Sequence, residues 1–322
     1  MRKLLPHILL LGLTLVVIPP VSEAKDFWFD FQRVVETGPE AELTLNYIDG
    51  DLEIVGTEEG KIIIDARKRV DAVGLDDAQW VADHIEIKVD EHKNRVDVAA
   101  NYLRMRDRDA SFWSKMLGKG GEQPFGEVNW SIQVPIGCRI TVVNTSGKMD
   151  IHNIRGKLDI RTSASELTLN SIEGEMEIEN SYGKTIGELL FGPITVRQAM
   201  GKIDLQFVEG DIRIKSSSAD IKIRQDRGAI DLTTSAGNVD IQTTLDSYRD
   251  YYVSTESGNI NLTIPETSSG DLRIESQTGD IRTDIPIAIK SMTRKQVEGT
   301  FGLGGVRVQL TSMSGDVTVA QF

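Results

Sequence analysis

A small residue recurs at every ninth position from Gly147 to Gly237, through Gly156, Ser165, Gly174, Gly183, Gly192, Gly201, Gly210, Ala219 and Gly228, without an insertion. Two and four positions after it the residues are apolar, as in Met149 and Ile151, Leu158 and Ile160, Ile203 and Leu205, or Ile212 and Ile214. Only the unit at Gly183, with Thr185 and Gly187, departs from this pattern. Alternation with a period of two is that of a strand with one buried face, so each unit predicts a short strand followed by a tight turn. One such unit cannot bury its own apolar face. Stacking many of them supplies both a core and hydrogen-bond partners for the strand edges.

A second period lies over the first. Seven positions after the small residue, Ile154, Ile172, Leu190 and Val208 alternate with Ser163, Ser181, Ala199, Ser217 and Ser235. The true repeat is therefore 18 residues, in which two strands and two unlike corners make one coil. Asp226 and Thr244 end the apolar corner series, which reads as a change of corner shape. Beyond Gly237, Gly258 and Gly279 follow at 21-residue spacing, and Gly315 closes a last unit. Three extra residues per coil imply longer corners or a third short side, with Thr243 to Tyr252 as a corner insertion carrying three tyrosines.

The expected fold is thus all-β, a parallel β-helix or β-solenoid of 18- to 21-residue coils with two strands per coil and one short N-terminal helix. Residues 18 apart should touch, at the strand spacing of about 4.8 Å. The outward Asp204, Lys222 and Asp240 then alternate in sign along one row, as cross-strand pairing favours, although Asp159 next to Glu177 does not. The helix is placed at Leu75 to His84, on Leu75, Ala78, Val81 and Ala82 behind acidic residues. Strands are expected near Ile85 to Val89, Val96 to Ala100 and Val128 to Val134, and GDLEI from Gly50 repeats the solenoid idiom early in the chain.

Residues 1–24 have the layout of a cleaved secretory signal: Arg2 and Lys3, an apolar run from Ile8 to Ile18, and small residues at Ser22 and Ala24. The run of 11 residues falls short of the roughly 20 that span a bilayer as a helix, so no integral membrane segment is expected after cleavage. Residues 25–135 read as an irregular N-terminal β section and 136–322 as the regular solenoid continuous with it. The lone Cys138 cannot close an intramolecular disulfide and reads as buried. Without the signal, 34 basic residues face 48 acidic ones, a formal charge of −14. That balance argues against nucleic acid as a partner.

Between the expected strands lies a local reversal of charge. Arg104, Arg106, Arg108, Lys115 and Lys119 surround Phe112, Trp113, Met116 and Leu117, with only Asp107 and Asp109 opposing. The plain reading is a loop whose aromatics fold back on the solenoid end. The sharper one makes Arg104, Arg106, Arg108, Phe112, Trp113 and Lys115 a contact element for a partner protein or an anionic envelope surface.

Residues suited to other chemistry are sparse. His84, His92 and His152 have no metal-site spacing, and no aspartate recurs at the corners as calcium-binding nonapeptide rolls require. The outward carboxylates Asp150, Asp159, Glu177, Asp204, Asp231 and Asp240 could in principle serve glycosidic cleavage. They occupy the ordinary outward position of the repeat, however, which a solvated face explains. No cofactor, metal or catalytic residue is expected.

The strings SGKMDI, RGKLDI, EGEMEI, EGDIRI, SGNINL, TGDIRT and SGDVTV, the entry VPIGCRITVVNTSG and the closing VEGTFGLGGVRVQLTSMSGDVTV resemble the bacterial putative-adhesin β-helix family, a family of unknown function. The resemblance covers most of the chain and implies a stacked solenoid at a bacterial envelope or surface. The expectation is an exported, non-enzymatic adhesin-like or scaffolding protein, periplasmic, surface-attached or secreted, that contacts a protein or glycan of the envelope. A carbohydrate-active β-helix enzyme and an accessory protein of an envelope-stress response are the alternatives.

Overall fold

The computed structural model describes residues 24–102, 126–246 and 249–322. Within them the chain forms β1 (Lys25–Glu36), β2 (Glu42–Asn46), β3 (Leu52–Thr57), β4 (Lys61–Ala72), α1 (Leu75–Asp83), β5 (Ile85–His92), β6 (Arg95–Tyr102) and β7 (Gly126–Pro135). Five 16-residue segments follow: β8 (Arg139–Ile154), β9 (Leu158–Glu173), β10 (Met176–Phe191), β11 (Ile194–Glu209) and β12 (Ile212–Arg227). Shorter strands complete the chain: β13 (Ile230–Ala236), β14 (Val239–Thr243), β15 (Tyr251–Ser257), β16 (Ile260–Ile264), β17 (Gly270–Ser276), β18 (Ile281–Thr283), β19 (Ala288–Met292), β20 (Gln296–Phe301), β21 (Arg307–Ser314) and β22 (Val317–Gln321).

Each long segment bends at its small residue and supplies both sides of one coil. Consecutive coils pair in parallel at the expected offset, with Leu158, Met176, Ile194, Ile212 and Ile230 in one column and Met149, Leu167, Thr185, Ile203 and Ile221 in another. The inward aliphatics are buried in a single continuous core. Aliphatic columns suit this geometry because a buried pleated surface favours β-branched side chains, and each coil covers the apolar face its neighbour leaves open. The 21-residue offset appears between Ile230 and Tyr251, so the three extra residues lie in the corner between β14 and β15. There Tyr251 is buried, its hydroxyl donating to the Gly228 carbonyl at 2.7 Å.

The two corners differ as expected, with one addition. Ile154, Ile172, Leu190 and Val208 are buried at one of them. Next in that column Gln225 takes the inward place, pairing with Val208 across a bulge while Asp226 is exposed. The other corner carries a buried polar ladder one residue before the exposed serines. Asn144, Thr162, Asn180, Gln198, Thr234 and Thr255 occupy it. Gln198 donates to the carbonyls of Gly183, Met200 and Lys202 and accepts from the Thr185 hydroxyl at 2.7 Å. Thr185, out of pattern in the sequence, is the donor that satisfies a buried amide.

The coils do not stack in chain order at either end, which corrects the sequential reading. The β17–β18 coil does not lie on the β15–β16 coil. Instead β21 pairs with β15 on one edge and β17 on the other, and β22 lies likewise between β16 and β18. At the N-terminal end, β2 lies between β6 and β8, and β3 between β7 and β8. Antiparallel strands close the stack: β5 on β6, β4 on β7 with β1 beyond it, and β20 on β17 with β19 beyond it. A period-based reading finds which residues face inward but cannot order the coils, since any coil fits any other in register. α1 forms over the expected span and buries Ala78, Val81 and Ala82, whereas Leu75 in its first turn is exposed.

Candidate functional site

An open groove lies where the antiparallel extension β1 and β4 joins β7, β3 and β8. Alternation on these strands sends two rows of polar side chains outward. One row runs Asp30, Arg67, Asn129, Asp51 and Lys148; the other runs Gln32, Asp65, Ser131, Glu53 and Asp150. Together with Trp28 they line about 810 Å³. Trp28 is 47% exposed, and the Arg67 guanidinium lies 5.7 Å from the centre of its ring.

Nearly every polar group in the groove is held by a neighbour. Arg67 Nε donates to Asp30 at 2.8 Å, and Gln32 Nε2 donates to Asp65 at 2.7 Å. Asn129 Oδ1 accepts the Asp51 N–H at 2.7 Å, and Asp51 Oδ1 accepts the Lys148 N–H at 2.9 Å. The Lys148 ammonium reaches Asp150 at 2.9 Å, and that hydrogen bond and charge hold it above the usual lysine range. Glu53 has no ion pair among the described residues. These contacts tie neighbouring side chains together across the strands.

Asp51 also belongs to a ladder that sequence reasoning missed. The residue after the corner glycine accepts the N–H of its counterpart one coil on: Asp220 from Asn238 at 3.0 Å, Asn238 from Asn259 at 3.1 Å, Asn259 from Asp316 at 2.9 Å and Asp316 from Asp280 at 2.9 Å. Its signal was the recurrent Gly-Asp or Gly-Asn pair in the repeat strings.

Of the carboxylates considered for glycosidic cleavage, Glu177 stands in register beside Asp159, and all but Asp240 form ion pairs among the described residues. Asp159 bridges Arg161, Glu177 bridges Lys157, Asp204 bridges Lys202 and Asp231 bridges Arg213. Asp204, Lys222 and Asp240 stand in one register row as expected, with no ion pair of Lys222 among the described residues. Burial pushes against ionisation of Asp204, but hydrogen bonds from Lys202 and Gln206 outweigh it and hold the carboxyl below its usual range. Lys157 does the same for Glu177. A general acid needs the opposite shift.

Cys138 is buried as expected, and burial pushes its thiol up to about 12. His84 stacks on Trp80, its Nδ1 2.7 Å from the Trp80 carbonyl oxygen. Among the described residues no group of His, Cys, Asp or Glu is arranged to hold a metal ion, and no helix is long and apolar enough to cross a membrane. Arg104, Arg106, Arg108, Phe112, Trp113 and Lys115 lie outside the described residues, as do residues 1–23 of the expected signal. The 103–125 segment is bracketed by Tyr102 at the end of β6 and Gly126 at the start of β7.

Fold and groove define a class, the parallel β-solenoid with laterally extended ends. Within that class the chain belongs to the Toastrack DUF4097 family, whose profile matches residues 84–248 and again 212–320. No curated protein matches it. Similar solved structures include a "putative adhesin" from Bacteroides fragilis, 11% identical with a TM-score of 0.41 over 91% of this chain and 97% of that one. A "putative lipid binding protein" from Parabacteroides distasonis is 9% identical with a TM-score of 0.41 over 90% and 96%. A "putative cell adhesion protein" from Clostridium sporogenes is 10% identical with a TM-score of 0.31 over 92% and 100%.

Proposed function

We propose that this chain is an exported, non-enzymatic protein of a bacterial envelope or surface, and that it works by presenting its solenoid faces as contact area for an envelope protein or glycan. The signal-like residues 1–24 support export. In this layout 25–135 forms the irregular, loop-bearing section and 136–322 the regular solenoid.

The observation that carries the reading is the state of the outward carboxylates. Asp159, Glu177, Asp204 and Asp231 are each ion-paired with Lys or Arg, and Glu177 and Asp204 are shifted downward, which supports a binding face rather than acid–base catalysis. The basic and aromatic residues Arg104, Arg106, Arg108, Phe112, Trp113 and Lys115 add a second contact element.

Binding of the purified chain to isolated envelope fractions tests the reading, with a cytosolic fraction as reference. Retention on envelope material is expected, weakened on deleting residues 104–119. Equal retention on both fractions would contradict it. Glycan depolymerisation abolished by Asp204→Ala or Asp231→Ala would favour an enzyme instead.

A further inference from the structure

We infer that the groove formed by β1, β4, β7, β3 and β8 binds a neutral oligosaccharide, with the Trp28 indole as its stacking platform. This rests on the surface-binding reading above and narrows it to one site and one ligand class.

The chemistry of the lining weighs against anionic ligands. Five carboxylates (Asp30, Asp51, Glu53, Asp65 and Asp150) face only two cations, Arg67 and Lys148, so an anionic chain is repelled. Arg67 and Lys148 neutralise Asp30 and Asp150, whereas Asp51, Glu53 and Asp65 keep their charge, so a cationic peptide is the competing ligand that the test has to separate.

A neutral polyhydroxyl ligand is not repelled by this charge, and it can use the aromatic margin that a cationic peptide does not need. Paired carboxylates and amides keep lone pairs and N–H groups for hydroxyls. Trp28 adds a half-exposed aromatic surface at one margin of an otherwise polar groove. An amphipathic ring of that kind covers the apolar face of a sugar while the polar rows meet its hydroxyls.

The size agrees. About 810 Å³ lies in the upper part of the range of small-molecule sites. From β1 to β8 the groove crosses four strand spacings, about 19 Å, which is long for a single sugar and suits a short chain. The Glu53 carboxylate, between Ser131 and Asp150 in register, is the acceptor assigned to the far end from Trp28.

The test is calorimetric titration of the full chain and its Trp28→Ala, Trp28→Phe and Glu53→Gln variants with neutral tetrasaccharides. These are α- and β-linked chains of glucose, mannose and N-acetylglucosamine, with hexalysine and a sulfated tetrasaccharide as charged arms. Far-ultraviolet circular dichroism checks that the variants fold, which Trp28 on an edge strand favours. A neutral tetrasaccharide is expected to bind, Trp28→Ala to weaken it by about tenfold or more, and Trp28→Phe to retain most of the affinity.

The inference is overturned if no neutral tetrasaccharide binds, if Trp28→Ala leaves the affinity unchanged, or if hexalysine alone binds in a Trp28-dependent way. A chain that holds envelope fractions but ignores every tetrasaccharide sinks the groove assignment and spares the surface-binding reading. One that binds a tetrasaccharide but not envelope material does the reverse.

Discussion

Val317 pairs in parallel with Ile260 and, on its other edge, with Ile281, although it follows both in the chain. The last strands of the sequence thus fill an inner place in the stack. The Asx ladder follows the same spatial order, Asp316 donating its N–H to Asn259, 57 residues earlier, and accepting from Asp280, 36 residues earlier. The free C-terminus is held on two edges, and the outward end of the solenoid is an antiparallel hairpin, an arrangement that blunts open edges.

Deleting residues 306–322 should therefore do more than shorten the stack by one coil. It removes Val308, Leu310, Val317 and Val319, all fully buried, and leaves β15 and β17 facing a gap. Thermal melting followed by circular dichroism should lose its single cooperative transition, and an added 306–322 peptide should restore it. A sharp, near-native melt of the truncated chain would argue against the inner placement.

Interior corner glycines with positive φ are predicted to resist replacement, unlike the corners that Ser165 and Ala219 fill. At Gly201 φ is +118°, and a Cβ would collide with the Gly183 carbonyl one coil below, so Gly201→Ala should cost about 2–4 kcal/mol. Gly305 has φ of +113° but nothing within 4 Å of a Cβ, so Gly305→Ala should cost only about 1–2 kcal/mol, the backbone part alone. Urea unfolding of both variants measures the difference, and equal losses would mean that close stacking plays no part.

The interior polar ladder makes a further stability prediction. Gln198→Leu orphans the Thr185 hydroxyl and removes donors from three carbonyls, so a loss of about 2–3 kcal/mol is expected. Combined with Thr185→Val, the loss should fall short of the sum of the single changes. Strict additivity in chemical denaturation would show that the two side chains do not act as a pair.

What the sequence made legible and what it hid divide along physical lines. Inward columns such as Leu158, Met176 and Ile194 were readable because burial leaves a period of two in the hydrophobicity. The order of the terminal coils was not, because register constrains which residues align and says nothing about which coil lies beside which. The groove also escaped, since Trp28 and Glu53 come to line one surface only through the antiparallel pairing of β1 with β4 and of β4 with β7. Their separation in sequence carries no period. Thr185 looked like a break in the pattern, and its hydrogen bond to the buried Gln198 amide is the reason for it.

Asp271 gives the C-terminal end a predicted pH dependence. Hydrogen bonds from the Thr300 hydroxyl, from Lys290 and from the Gly305 N–H hold its carboxyl at about 2, below the unfolded aspartate value of about 3.9. A depressed carboxyl stabilises the fold above its unfolded value, and that contribution fades as pH drops from about 4 through 2. Asp271→Asn should lower the urea midpoint at pH 6 and narrow the difference from the native chain at pH 2.5. A variant whose deficit is the same at both pH values would refute the linkage.

The stacking order itself is tested most directly by disulfide trapping. Asn261 stands in register with Thr318, and paired residues one strand apart, about 4.8 Å, fall within disulfide reach. The native Cys138 is buried and should not compete. The account predicts that Asn261→Cys with Thr318→Cys cross-links readily on mild oxidation, whereas Asn261→Cys with Arg282→Cys, the pair that chain-order stacking would join, stays reduced. Cross-linking of the second pair but not the first would contradict it.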